Sequence, residues 1–188
     1  KIYRFRITLL HSKPPIWRRI ETADCSLDVL HQHVQTAMGW SNSHLHEFLV
    51  GSERYTDAQL LDDPVETVDA SDSAGVRISD LVARHGQSFR MTYVYDFGDQ
   101  WEHSIMLEKI TEAETGQRYP RCVEGRRACP PEDVGGVWGF KEFLNAIRDP
   151  DHEEHDDWID EVVRAFCEQH SMKSKYANAL ESGHGGEG

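Results

Sequence analysis

The sequence predicts an α+β fold: a mixed β-sheet with a β-grasp-like start of hairpin, helix and strand, and helices packed mainly on one face. Three observations carry this. Tyr3, Phe5, Ile7 and Leu9 alternate with Arg4, Arg6 and Thr8, the period of a half-buried strand. Leu27, Leu30, Val34 and Met38 recur at helical spacing. Phe89, Met91, Tyr93 and Tyr95 alternate before the turn Asp96-Phe97-Gly98-Asp99-Gln100, and a second alternating run, Trp101 to Ile110, follows it.

The elements follow in order. Ser12, Lys13, Pro14 and Pro15 make the first turn, and Ile16 to Glu21 returns as the hairpin partner. Ser26 suits the N-cap of the first helix and Gly39 its left-handed end. Leu45 to Val50 reads as a third strand, Gly51 to Gly75 as a polar, acidic excursion with little periodicity, and Ser79 to His85 as a short helix closed by Gly86. Phe140, Phe143, Leu144 and Ile147 fit a helix halted by Asp149-Pro150, and Ile159, Val162, Val163 and Phe166 fit another with an Asp-rich first turn. The chain reads as one domain over residues 1–180, with a disordered tail over 181–188.

Composition narrows the function. No apolar run approaches the roughly 20 residues that span a bilayer, and the opening KIYRFRITLL is too short and charged for a signal peptide, so a cytoplasmic protein with no membrane contact is expected. Cys25, Cys122, Cys129 and Cys167 are too sparse for a disulfide scaffold and are read as thiols. A formal net charge of -13 disfavours general polyanion binding. The charge is uneven: six Lys or Arg residues precede the first acid, Glu21, whereas seven carboxylates fall within Asp151 to Glu161. The basic end therefore reads either as a surface that is solvated or faces the acidic segment, or as a local anion site, and nucleic acid is a possible partner but not through net charge.

Two stretches concentrate chemistry. In the second strand of the long hairpin, Trp101, His103, Ile105 and Leu107 share one face, which puts His103 on an apolar side near Asp96 and Asp99. It reads either as a core histidine with a carboxylate partner or as a base or ligand in a pocket. The stretch CVEGRRACPPEDVGG, Cys122 to Gly136, combines thiols, Arg126, Arg127, two prolines, Glu132, Asp133 and glycines. It is read first as rigid scaffold, stiffened by Pro130 and Pro131 before a helix start. Its thiols could also form a disulfide on oxidation, or bind a divalent metal such as Zn or Mn with His44, His46 or His103, although the spacing is not that of a zinc knuckle. His31 and His33 point in different directions on a helix, and His152 and His155 lie in the acidic run, so neither pair is a strong ligand set. No phosphate-binding loop, dinucleotide fingerprint, GxSxG or HExxH occurs.

YDFGDQWEHSI (Tyr95 to Ile105), the Cys-containing stretch, PPIWRRI (Pro14 to Ile20) and MGWSNSHLHEF (Met38 to Phe48) together resemble the plasmid pRiA4b ORF-3-like family, from about Ile2 to about Pro150. The resemblance implies a small α+β protein associated with mobile elements and brings no established activity. Some members carry a resolvase-like name, but the nucleophile and arginine constellation of a recombinase has no counterpart in this short acidic chain. Members usually close with an FDPE-like stretch, where this chain reads AFCEQHSMKSKYANAL.

The expected function is an interaction module that recognises a protein or nucleic-acid-linked ligand, a protein partner first. Its face combines the 96–103 hairpin with the 122–136 loop, and its ligand-contacting candidates are Trp17, Arg18, Arg19, Trp101, Arg126 and Arg127. The rival is a metal-dependent hydrolase of phosphate esters or nucleic acid, using Asp96, Asp99, His103, Glu132 or Asp133 around an ion.

Overall fold

A computed structural model describes residues 1–61, 69–160 and 162–163, in two compact units that divide after Val137. The first unit is built on a mixed eight-stranded sheet. Its strands are β1 (Ile2–Leu9), β2 (Ile16–Ala23), β3 (His46–Val50), β4 (Glu53–Thr56), β5 (Ser71–Asp72), β6 (Arg90–Tyr95), β7 (Trp101–Thr111) and β8 (Arg121–Arg126), in the spatial order β5-β4-β3-β6-β7-β1-β2-β8. The helices are α1 (Leu27–Met38), α2 (Ala58–Leu61), α3 (Ile78–His85) and α4 (Gly136–Ala146), the last of which runs into the second unit. Pairing is antiparallel except for the short β4–β5 ladder.

The hairpin–helix–strand start is present in chain order within the mixed eight-stranded sheet. The strand after α1 pairs with β4 and β6, and the neighbour of β1 is β7. The β6–β7 hairpin therefore sits between the two halves of the expected unit. Eight paired residues join β1 to β7, with one register shift at Arg4/Phe5.

Alternation sorts the sheet into two faces. Phe5, Ile7, Leu9, Phe48, Tyr93, Tyr95, Trp101, His103, Ile105 and Leu107 are fully or almost fully buried on one side. That side also takes the apolar stripe of α1 (Leu27, Leu30, Val34, Met38) and Ile78 and Leu81 of α3. Each large apolar side chain so buried stabilises the fold by roughly 1.5–3 kcal/mol. Ser26 occupies the N-cap of α1, but its hydroxyl bonds the Asp28 carboxylate and not a backbone N–H. Gly39 ends the helix in the left-handed region with φ 86°, as its position predicts, and its N–H donates to Gln35 O at 2.8 Å.

The opposite face carries the polar residues of the same strands. Glu21, only 3% exposed, accepts from Arg4 and Arg121. Burial alone would raise its pKa, and the two guanidinium groups outweigh burial and hold it below the usual carboxylate range. Arg19 is shared between Glu108 and Glu124.

Two expectations change. The polar excursion after Gly51 contains β4, α2 and β5. The first half of the Cys-containing stretch is not loop but the edge strand β8, paired to β2 from Trp17↔Arg126 to Glu21↔Arg121. In the second unit, α4 and a helical stretch over 155–160 cover the helices expected there, with Phe143 packed edge-on against Trp158 at 5.3 Å. Phe166, Cys167, the divergent AFCEQHSMKSKYANAL segment beyond its first residues and the 181–188 tail lie outside the described residues.

Candidate functional site

The site is assembled at the end of the sheet where three connections converge: Trp40 to Leu45 after α1, the β6–β7 turn, and the segment from Cys129 to Gly136. Beneath them, a closed circuit of hydrogen bonds fixes the first connection. Gln35 Nε2 donates to Tyr93 Oη at 2.9 Å, and Tyr93 lies 2.7 Å from His31 Nδ1. His31 Nε2 meets Asn42 Oδ1, and Asn42 N donates to Gln35 Oε1 at 3.2 Å. Every polar atom is satisfied if Tyr93 donates to Nδ1 and neutral His31 carries its proton on Nε2. Burial lowers the pKa of His31, which favours that neutral form. Trp40 stacks on Tyr95 at 5.2 Å, and its indole N–H donates to Pro130 O at 2.9 Å, joining the first connection to the third.

The turn is shaped by Asp96. Its backbone is left-handed, with φ 58°, a conformation Asp tolerates because its side chain bonds locally. Asp96 Oδ1 accepts from Gly98 N at 2.9 Å and Asp99 N at 3.3 Å, which leaves Oδ2 facing His44 Nε2 at 3.7 Å. The third connection docks on this turn: Gly135 N donates to Asp99 Oδ2 at 3.1 Å. At Gly136, with φ 67°, a Cβ would lie 2.2 Å from the Asp99 carbonyl oxygen, so the close approach admits only glycine.

Glu132 is the latch. Oε1 accepts from Tyr95 Oη at 2.6 Å, and Oε2 accepts from both Ser41 N and Ser41 Oγ at 2.6 Å. Burial, reinforced by this carboxylate, raises the Tyr95 pKa, so the phenol stays protonated and donates. Next to the latch, Asp133, also left-handed at φ 59°, places Oδ1 2.9 Å from His44 Nε2.

His44, Asp96 and Asp133 thus bring three ligand atoms within 4.8 Å of one another, and among the described residues this group has metal-ligand spacing. Two of the separations, 2.9 and 3.7 Å, bracket the roughly 3.3 Å between donors in a tetrahedral zinc site with bonds of about 2.0–2.1 Å. Two carboxylates and a neutral imidazole carry the charge that balances a divalent ion, and three protein ligands leave coordination positions open. Asp96 is held by its turn, whereas Asp133 is exposed and able to adjust.

The remaining predicted residues are distributed as follows. The hairpin and the loop do meet, through Asp99, Tyr95 and Glu132, but Asp99 and Glu132 are occupied by the contacts that join them. His103 is fully buried, with Nδ1–H donating to Trp101 O at 2.9 Å and Nε2 without a hydrogen-bond partner among the described residues. Burial lowers its pKa to about 4. His46 is stacked on His31 at 3.7 Å, and burial with that neighbour lowers its pKa to about 3. Neither joins the metal-spaced group, nor does a cysteine: Cys122 lies on β8, and Cys129 accepts from Arg18 Nη2 at 2.8 Å. Burial pushes the Cys129 thiol up to about 11, and Cys25, Cys122 and Cys129 are all free thiols.

The ligand-contacting candidates divide. Trp101 is buried. Arg18 points to the α1 side, donating to Ala37 O and Cys129, while Trp17 and Arg19 stand on the opposite face. Arg126 and Arg127 are exposed. Sequence reasoning placed Asp96 and Asp133 together around an ion but put His44 in a different set, with the cysteines, and it missed Trp40 and Ser41; the signal was WSNS directly after the helix-ending Gly39.

Comparison with known proteins agrees with this fold. A family model described as plasmid pRiA4b ORF-3-like protein matches residues 1–174. The chain is 39% identical over 181 residues to the uncharacterized protein y4hQ of Sinorhizobium fredii (strain NBRC 101917 / NGR234), covering 94% of this chain and 86% of that one. It is also similar to the crystal structure of MM3350, a protein of unknown function from Methanosarcina mazei Go1. That similarity has a TM-score of 0.72 at 32% identity, over 84% of this chain and 87% of the other. No helix among the described residues is long and apolar enough to cross a membrane.

Proposed function

The chain belongs to the plasmid pRiA4b ORF-3-like family, and from that premise we propose that it is a binding module whose ligand is recognised through a divalent cation held by His44, Asp96 and Asp133. The observation that carries this is the convergence of these three side chains, from three separate connections, onto one point. The ligand face comprises the β6–β7 turn and the Cys129 to Gly136 segment, with Phe97, 36% exposed, at its rim. An oxygen donor of the ligand, such as a carboxylate of a protein partner, would complete the coordination sphere. A cytoplasmic setting is part of the same reading.

Binding is favoured over hydrolysis because the two carboxylates next to the triad are committed. Glu132 accepts three hydrogen bonds and Asp99 accepts one from the docking loop, so neither is a free general base. Isothermal titration with Zn2+ and Mn2+ of tag-free, chelator-treated protein tests the reading. We expect one equivalent to bind the native chain and none to bind the double variant Asp96→Asn/His44→Ala with an unchanged circular dichroism spectrum. Failure of both ions to bind the native protein at millimolar concentration, or equal binding by the variant, overturns it.

A further inference from the structure

The sheet face opposite α1 contains charged side chains that the metal site does not use. The strand register places Glu124, Arg19, Arg6, Met106 and Arg90 in one row across β8-β2-β1-β7-β6. Arg126, Trp17, Thr8, Ser104 and Thr92 lie in the adjacent row. Contacts confirm that these side chains share a face: Arg19 meets Glu124, Arg6 lies over the Trp17 ring at 4.4 Å, and Arg90 Nη2 reaches Met106 Sδ at 3.7 Å.

The carboxylates of this face are already engaged. Glu21 holds Arg4 and Arg121, Glu108 and Glu124 hold Arg19, Glu102 meets His11, and Glu47 meets Arg54. Arg6, Arg90 and Arg126 have no carboxylate partner among the described residues. Neighbouring strands are about 4.8 Å apart, so the backbone positions of the three arginines, on alternate strands, are spaced at about 10 Å across the sheet.

We propose that this face binds single-stranded nucleic acid, with Arg6, Arg90 and Arg126 contacting successive stretches of its phosphate backbone. Three separated cations suit a chain of phosphates, whereas a small anion would need them to converge. The hydroxyls of Thr8, Ser104 and Thr92 stand between the arginines as further phosphate donors. Trp17, against whose ring the Arg6 and Arg19 guanidinium groups lie at 4.4 and 5.3 Å, holds those cations in place on this face. An open sheet face offers no protruding helix or ribbon to enter a duplex groove, which selects single strands. The acidic remainder of the chain confines the contact to this patch.

Fluorescence anisotropy of fluorescein-labelled oligo(dT) with the full chain, in EDTA to silence the cation site, tests the proposal. We expect saturable binding at low salt and a slope of log affinity against log salt near −2, from about −0.7 for each of the three contacts. Arg6→Ala/Arg90→Ala/Arg126→Ala should abolish binding. Because Arg6 packs on Trp17, Arg90→Glu/Arg126→Glu, changed only at exposed positions, serves as a second variant and should also lose binding while melting like the native protein. Absence of binding at low salt, unchanged binding by the exposed-site variant, or equal competition by polyglutamate, the mark of an acidic-peptide surface, overturns it.

Discussion

Beneath α1, Gln35, Tyr93, His31 and Asn42 commit their polar atoms to one another in a closed circuit. One connection further on, His44 and Asp133 meet at 2.9 Å with the Asp133 side chain 72% exposed and Asp96 Oδ2 turned toward them. The two regions use the same residue types for different ends. In the core, polar groups define one backbone path, because any of them left unpaired would cost about 1–3 kcal/mol. At the junction that path is already fixed by Trp40, Glu132 and Asp99, so the triad adds little to folding, and a cation would displace only the proton shared by His44 and Asp133.

The largest test of this contrast is acid. His46 and His103 are buried neutral, with pKa values lowered to about 3 and about 4. Both lie below the value near 6.5 of an unfolded histidine, so between these limits the unfolded chain binds more protons and stability falls as pH falls. Well below pH 6.5 each histidine costs up to about 1.4 kcal/mol per pH unit, which amounts to several kcal/mol by pH 4. Urea unfolding between pH 7 and pH 4 should show this slope, and His103→Asn should make it shallower. A flat profile would mean that these rings are solvated and that the covered face is not the sealed layer described.

Next in size is Gly136→Ala. The added Cβ meets the Asp99 carbonyl at 2.2 Å and the residue must hold φ 67°, so the loop has to leave the turn. A loss of about 2–4 kcal/mol is expected, together with loss of metal binding as Asp133 moves away from Asp96. Full metal binding in this variant would show that the triad does not depend on the docked loop. Tyr93→Phe should cost less, about 1–3 kcal/mol, by orphaning Gln35 Nε2 and His31 Nδ1 in the core. Thermal melts with and without metal separate the two variants, because Tyr93→Phe should leave the junction competent.

The sequence reveals these regions unequally. β1, α1 and the β6–β7 hairpin are legible because local periodicity and end signals at Gly39 and Asp96-Phe97-Gly98 agree with their burial. Edge strand β8 is not, since RCVEGR is exposed along nearly its whole length and leaves no alternation to read; only distant β2 makes it a strand. The order of strands was equally hidden, because inserting β6–β7 between β3 and β1 depends on long-range pairing. At the junction the residue types were readable one by one. That His44 completes the pair Asp96 and Asp133 was not, because three connections far apart in the chain meet only after the sheet has formed. His103 shows the opposite case, a residue whose apolar face was read correctly and whose surroundings turned out to be core.

The smallest expected effect discriminates best between the two regions. His44→Ala removes one partner of a contact whose other member is largely exposed, and exposed pairs contribute about 0–1 kcal/mol. Without added metal its unfolding midpoint should lie within about 0.5 kcal/mol of the native protein. With Zn2+ at a hundredfold excess over its dissociation constant, the native chain should gain about 2.7 kcal/mol and the variant nothing. A large loss without metal would place His44 with the core histidines as a folding residue. A stabilisation by metal that survives the substitution would move the cation off the triad, because Asp96 and Asp133 alone offer an ion two carboxylates on a surface that water already solvates.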